Sequence, residues 1–235
     1  MSFKQDLFAH FGRIGQAVSS GKRLEMLEFL AQGERSVEAL ATVAGLPMAN
    51  ASHHLQQLRR AGLVTSRKEG LKVYYRLSGD DVVELMASLR AVGERHLAEV
   101  ERLVDTYLTA KDRLEPLSRA QLLERLRGGT VTVLDVRPAE EYWAGHLPGA
   151  VNLPPSEIEK RLATLDPAQE FVAYCRGPYC VLAFEAVELL RSRGFNARRL
   201  EDGYPEWRAA GLPVAGSASE PGAAWGAGIG KSTSD

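Results

Sequence analysis

What most constrains the fold of this chain is a change of hydrophobic grammar near its middle. Up to about residue 108, apolar residues recur every three or four positions, as in Leu7, Phe8, Phe11, Ile14 and Val18 and again in Leu24, Leu27 and Leu30. That is the period of helices with one buried face. Beyond residue 117, short β-rich runs at 131–136, 171–174 and 197–200 alternate with helical segments at 119–126, 139–143 and 181–193. Such alternation points to a parallel sheet covered by helices. The 235 residues are enough for two cores, and 45% hydrophobic with 25% charged residues excludes a largely disordered chain. We therefore expect a mainly α domain with a β-hairpin over residues 1–110, a linker over 111–117 and an α/β domain over 118–213. The Gly/Ala/Ser-rich stretch 214–235 is expected to be disordered.

Two classes fall away at once. No run of 18 apolar residues occurs, and Lys4, Asp6 and His10 interrupt the start of the chain, so neither a membrane span nor a signal peptide is expected. The expected compartment is the cytoplasm, with no membrane partner. The only cysteines, Cys175 and Cys180, are too few for a disulfide framework or a four-thiolate zinc site. No metal site and no cofactor are expected.

Net charge is −1, yet residues 47–77 carry six basic side chains (Arg59, Arg60, Arg67, Lys68, Lys72, Arg76) against the single acid Glu69. A local excess of this kind suits a polyanion. Ser36 is a candidate N-cap for a helix over 37–43, Ala44-Gly45 breaks the pattern, and Pro47 falls where the next helix would begin. On a helical wheel, residues 48–61 place Ala51, Leu55 and Leu58 on one side with His54 beside them, and Ala49, His53, Gln56 and Arg60 opposite. Residues 63–77 read as a hairpin turning at Glu69-Gly70, with Val73, Tyr75 and Leu77 alternating against Lys72, Tyr74 and Arg76. Residues 80–108 read as one long helix whose apolar seam outruns a small domain and faces a second subunit.

The polar face of the 48–61 helix offers Asn50, Ser52, His53, Gln56 and Arg60 to base edges in a major groove, while Arg67, Lys68 and Lys72 on the hairpin reach phosphates or the minor groove. The run from Val37-Glu-Ala-Leu40 through Ser52-His-His-Leu-Gln-Gln-Leu-Arg-Arg-Ala-Gly-Leu-Val64 to Val73-Tyr-Tyr-Arg-Leu77 resembles the winged helix-turn-helix of ArsR-type repressors. That resemblance covers about residues 5–108. It implies a homodimer built on the first and last helices and bound to a palindromic operator in double-stranded DNA. The metal-sensing patterns of that family are missing: the 37–43 helix lacks cysteine, and His96 and Glu99 face an Asp80-Asp81 region without histidine.

In the second half, the apolar run 171–174 leads directly into Cys175-Arg-Gly-Pro-Tyr-Cys180, followed by a helix at Val181. A cysteine in a loop that opens a helix meets unpaired N–H groups and the positive end of the helix dipole, both of which favour a thiolate. Cys175 is thus the expected nucleophile. The segments Leu134-Asp-Val-Arg137, Glu140-Glu-Tyr-Trp-Ala-Gly-His-Leu-Pro-Gly-Ala150 and Leu200-Glu-Asp-Gly-Tyr-Pro-Glu-Trp207 resemble the rhodanese fold over about 117–213. The resemblance implies that Cys175 accepts sulfane sulfur as a persulfide within the active loop of Arg176, Gly177, Pro178 and Tyr179, with Asp135, Arg137 and His146 as framework. The loop departs from the usual form in having Cys180 at its sixth position and Arg176 as its only charge, which disfavours thiosulfate. Cys180 is a candidate resolving thiol.

Three readings stay open from the sequence. The first is a DNA-binding repressor that senses reactive sulfur or redox state through Cys175 and Cys180, with a sulfane-sulfur donor or a thiol acceptor as its small partner. The second is a sulfurtransferase acting through a Cys175 persulfide, with a tethered autoregulatory DNA-binding domain. The third is an arsenite or soft-metal repressor.

Overall fold

The computed structural model describes residues 2–109 and 116–216. It divides between Gly93 and Glu94 into two compact units. The expected linker, apart from Pro116 and Leu117, and most of the expected tail lie outside the described residues.

The first unit orders its elements as α1 (Phe3–Ala17), α2 (Gly21–Ala31), β1 (Arg35–Ser36), α3 (Val37–Val43), α4 (Met48–Arg60), β2 (Val64–Glu69), β3 (Lys72–Leu77) and the start of α5 (Asp81–His96). The strands form an antiparallel sheet in the order β1-β3-β2. Its core gathers Met26, Leu27, Leu30, Leu40, Ala51, Leu55, Leu58, Tyr75, Leu77 and Val82. As expected, the Ser36 hydroxyl caps α3 by accepting from the Ala39 N–H at 3.2 Å. Pro47 stands one position earlier than expected, as the N-cap of α4, where its carbonyl accepts from the Ala51 N–H at 3.0 Å. Arg23 closes the carboxyl end of α1 by donating to the carbonyls of Ala17 (2.5 Å) and Gln16 (2.7 Å). This answers orphan carbonyls and the negative end of the dipole together.

Two expectations need correction. Glu69 pairs with Lys72, so the hairpin turns at Gly70 and Leu71, with Gly70 at φ +59°, where glycine carries no Cβ penalty. The expected long helix over 80–108 is interrupted: α5 ends at His96, Leu97 is extended (φ −114°, ψ 100°), and α6 (Ala98–Val104) runs into a π-helical turn, Asp105–Thr109. Charge explains the break. Arg95 and His96 end α5 and Glu99 and Glu101 begin α6, each sign placed where a helix terminus favours it.

The second unit holds α6 and then α7 (Arg119–Arg127), β4 (Val131–Asp135), α8 (Ala139–Ala144), β5 (Val151–Asn152), α9 (Pro155–Arg161), β6 (Glu170–Tyr174), α10 (Val181–Ser192), β7 (Asn196–Arg199) and α11 (Tyr204–Ala209). All strand pairs are parallel, in the order β5-β4-β6-β7. Strand periodicity sorts the sides of the sheet. Phe171, Ala173 and Cys175 join Leu134, Ala183, Val187 and Leu190 in one cluster, and Val172 and Tyr174 join Val133, Leu200 and Trp207 in the other. The fold extends past the expected linker and tail boundaries. Leu117 is fully buried and bridges to Leu200, and Ala215 exchanges two 2.8 Å backbone hydrogen bonds with His146.

Candidate functional site

In the first unit, α4 and the β2–β3 hairpin carry the expected DNA-facing residues. Ala51, Leu55 and Leu58 are buried, His54 is half-buried, and Asn50, His53, Gln56 and Arg60 are exposed with Ser52 at the margin. The hydrophobic side of the helix therefore fixes which side chains look outward. Gln56 donates to the Ser52 hydroxyl at 3.4 Å, and the amide of Gln57 lies 3.3 Å from the His53 ring. Gln57 also accepts from Arg23 at 2.5 Å, a tie from the start of α2 to α4 that the sequence did not reveal. His54 buries its Nδ1 without a hydrogen-bond partner. Burial first, then the charges of Arg23 and His53, holds its pKa below the ordinary histidine value.

The wing cations are not equivalent. Lys68 and Lys72 are exposed. Arg67 is held by Glu34, with Nε–O distances of 2.8 and 3.0 Å, and by Glu69, and it lies 4.7 Å above the Tyr74 ring. Its hydrogen bonds to Glu34 and Glu69 raise its pKa further above the usual arginine value. Arg67 thus offers DNA less uncompensated charge than its position in the sequence suggests.

In the second unit, β6 delivers Cys175 to the carboxyl end of the parallel sheet, and Cys180 is the N-cap residue of α10. The two are joined as a disulfide with Cα atoms 6.0 Å apart, inside the range such a bond requires. Cys175 is 1% and Cys180 9% exposed. The Cys180 N–H donates to the Gly177 carbonyl at 3.2 Å, and the Tyr204 N–H donates to the Cys175 carbonyl at 3.0 Å. A Cβ on Gly203 would fall 2.4 Å from the Arg176 carbonyl carbon and the Gly177 nitrogen, so α11 can start beneath the loop only with glycine there.

Arg176 does not offer a free charge to the loop. Its Nε and Nη2 bind the Glu141 carboxylate at 2.8 to 3.1 Å, and the Glu141 side chain is 3% exposed. Below lies a second buried pair. Arg137 binds Asp135 at 2.6 and 3.0 Å and the Gly145 carbonyl at 2.6 Å, and the Tyr174 hydroxyl donates to Asp135 while accepting from the Leu147 N–H at 3.0 Å. Burial opposes the Arg137 charge, but its hydrogen bonds and attraction to Asp135 outweigh this and raise its pKa; burial, then Asp135, raises that of Tyr174. His146 stacks on Tyr142 at 3.8 Å and holds the Ala215 backbone. The Asp135–Arg137–Tyr174 network ends one residue before Cys175. Among the described residues, no three His, Cys, Asp or Glu side chains group together as a metal site would require, and no helix is long and apolar enough to cross a membrane.

A winged helix-turn-helix followed by a rhodanese-like α/β domain defines a DNA-binding transcriptional regulator of ArsR type that carries a rhodanese module. Comparison with known proteins agrees: the Helix-turn-helix domain family matches residues 18–67 and the Rhodanese-like domain family matches 118–210. The chain is 47% identical over 211 residues to the HTH-type transcriptional regulator Rv0324 of Mycobacterium tuberculosis, covering 90% of this chain and 92% of that protein. It belongs to that family of HTH-type transcriptional regulators. A homodimeric winged helix-turn-helix DNA-binding domain from Mycobacterium bovis, a possible ArsR-family regulator, is 44% identical with a TM-score of 0.39, covering 41% of this chain and 90% of that structure. Over the second half, the human thiosulfate:glutathione sulfurtransferase is 32% identical across 104 residues, 39% of this chain and 90% of that protein.

Proposed function

We propose that this protein is a homodimeric cytoplasmic repressor whose affinity for a palindromic operator is set by reactive sulfur or redox state at Cys175 and Cys180. The observation that carries the reading is the pairing of these two cysteines within one loop, with Cα atoms 6.0 Å apart. In the reduced form, the amino end of the 12-residue helix α10 favours thiolates in this loop. The Cys175 thiolate attacks the terminal sulfur of a persulfide donor, giving a Cys175 persulfide and releasing the donor thiolate. The Cys180 thiolate then attacks Sγ of Cys175, closing the disulfide and expelling hydrosulfide. Direct oxidation by a disulfide of low molecular weight reaches the same product through a mixed disulfide.

Asn50, Ser52, His53, Gln56 and Arg60 are assigned to base edges, and Lys68 and Lys72 to phosphates, with Arg67 a weaker contributor. Dimerisation is supported by the exposed apolar residues Phe3, Phe8 and Phe11 on α1 and Leu89 and Val92 on α5, which a partner subunit would cover. A second reading, sulfur transfer independent of DNA binding, is favoured by the likeness to the human sulfurtransferase. Operator affinity measured before and after sulfuration separates the two: the regulator changes affinity, and the tethered enzyme does not.

A further inference from the structure

The geometry points to Glu141 as the residue that sets the class of sulfur donor reaching Cys175: by pairing with Arg176 it selects hydropersulfides of low charge over thiosulfate. This rests on the reading that Cys175 accepts sulfane sulfur. Arg176 is the only charged residue between Cys175 and Cys180. Its guanidinium is committed to a bidentate pair at 2.8 to 3.1 Å with a carboxylate that is itself 3% exposed. The nearby Arg137 is fully buried and turned to Asp135 and the Gly145 carbonyl. Arg176 and Arg137 are therefore each matched by an anion, and Tyr179 and Val181 have half-exposed side chains.

Charge decides between donors. Thiosulfate brings two negative charges to a thiolate, and its transfer leaves a Cys175 persulfide anion and sulfite, with three negative charges gathered around the reacting atoms throughout. A hydropersulfide brings a protonated terminal sulfur; the thiolate attacks it, the donor S–S bond breaks, and the donor leaves as a thiolate, with one negative charge in play. A dianion needs charge-assisted donors to replace its water. Here the loop guanidinium already spends two of its donors on Glu141. Peptide N–H groups and the helix end suffice for the smaller charge.

The test uses the full chain, reduced with a dithiol and desalted, and follows the gain of one sulfur atom on Cys175 by mass spectrometry in a Cys180→Ser background. Donors are cysteine persulfide and thiosulfate at equal concentration and several ionic strengths. The expected result is a persulfide rate on the order of tenfold or more above the thiosulfate rate. Glu141→Gln should raise the thiosulfate rate by about tenfold, with a new dependence on salt, and leave the persulfide rate within about twofold. Glu141→Asp should keep the wild-type preference. Because an unpaired Arg176 could unfold the loop, Glu141→Gln/Arg176→Gln is the second variant, and it should retain the preference without the salt dependence. Equal rates for the two donors in the Glu141-containing protein, or a donor ratio unchanged in a folded Glu141→Gln protein, overturns the assignment and leaves the sulfur-accepting reading intact. Sulfuration by neither donor overturns both.

Discussion

Gly203 faces the Arg176–Gly177 peptide so closely that an added Cβ would lie 2.4 Å from its carbon and nitrogen, both backbone atoms that cannot swing aside. The next residue, Tyr204, donates its N–H to the Cys175 carbonyl at 3.0 Å. Together they fix the level of the cysteine loop against the start of α11. Gly203→Ala should therefore cost about 1 to 3 kcal/mol through forced displacement of the loop. It should also slow closure of the Cys175–Cys180 disulfide, read by thermal unfolding and by the rate of thiol loss. Wild-type stability together with a wild-type closure rate would show that the loop is not held from below.

The wing supplies a prediction that separates two cations close in sequence. Lys72→Ala should weaken binding to operator and random duplex alike and reduce the slope of log affinity against log salt by about 1. Arg67→Ala should leave that slope nearly unchanged and lower the thermal stability of the wing, because Glu34 and Glu69 already hold the guanidinium. Salt titrations of the two variants against wild type decide the matter, and equal slopes for both variants would contradict the ion-pair account.

His54 makes the stability of the first unit depend on pH. Its folded pKa lies below the ordinary 6.5, burial being the main cause, so the folded state binds fewer protons than the unfolded one. The stabilisation is complete above the ordinary value and is lost as pH falls from there through the folded pKa. Urea unfolding midpoints should drop between pH 7 and pH 5 more steeply in wild type than in His54→Gln. Parallel pH profiles would contradict this.

Much of the architecture was legible because burial imposes a period. The face of α4 follows from the spacing of Ala51, Leu55 and Leu58, and β6 from an unbroken apolar run ending at Cys175. The two-residue strand β5 is too short to carry a period. The break at Leu97 involves neither glycine nor proline, and its only trace is the change of charge sign between Arg95 and Glu99. The ion pairs that reassign Arg67 and Arg176 join residues 33 and 35 positions apart, so no local pattern announces them. The basic residues of the wing and the cysteine loop were visible; which of their charges were already matched was a tertiary fact.

If chemistry at Cys175 governs DNA binding, operator affinity must change when the cysteine loop reacts. A duplex operator is selected from a random-sequence library with reduced protein, and its affinity is then measured at fixed salt for reduced wild type, polysulfide-treated wild type and Cys175→Ser under both conditions. Treatment should weaken wild-type binding by about fivefold or more, within the usual range of allosteric coupling, while Cys175→Ser binds equally before and after. Wild-type affinity unchanged within about twofold, with closure of the Cys175–Cys180 disulfide demonstrated in the same sample, would contradict this coupling and leave the rhodanese domain as a tethered sulfurtransferase.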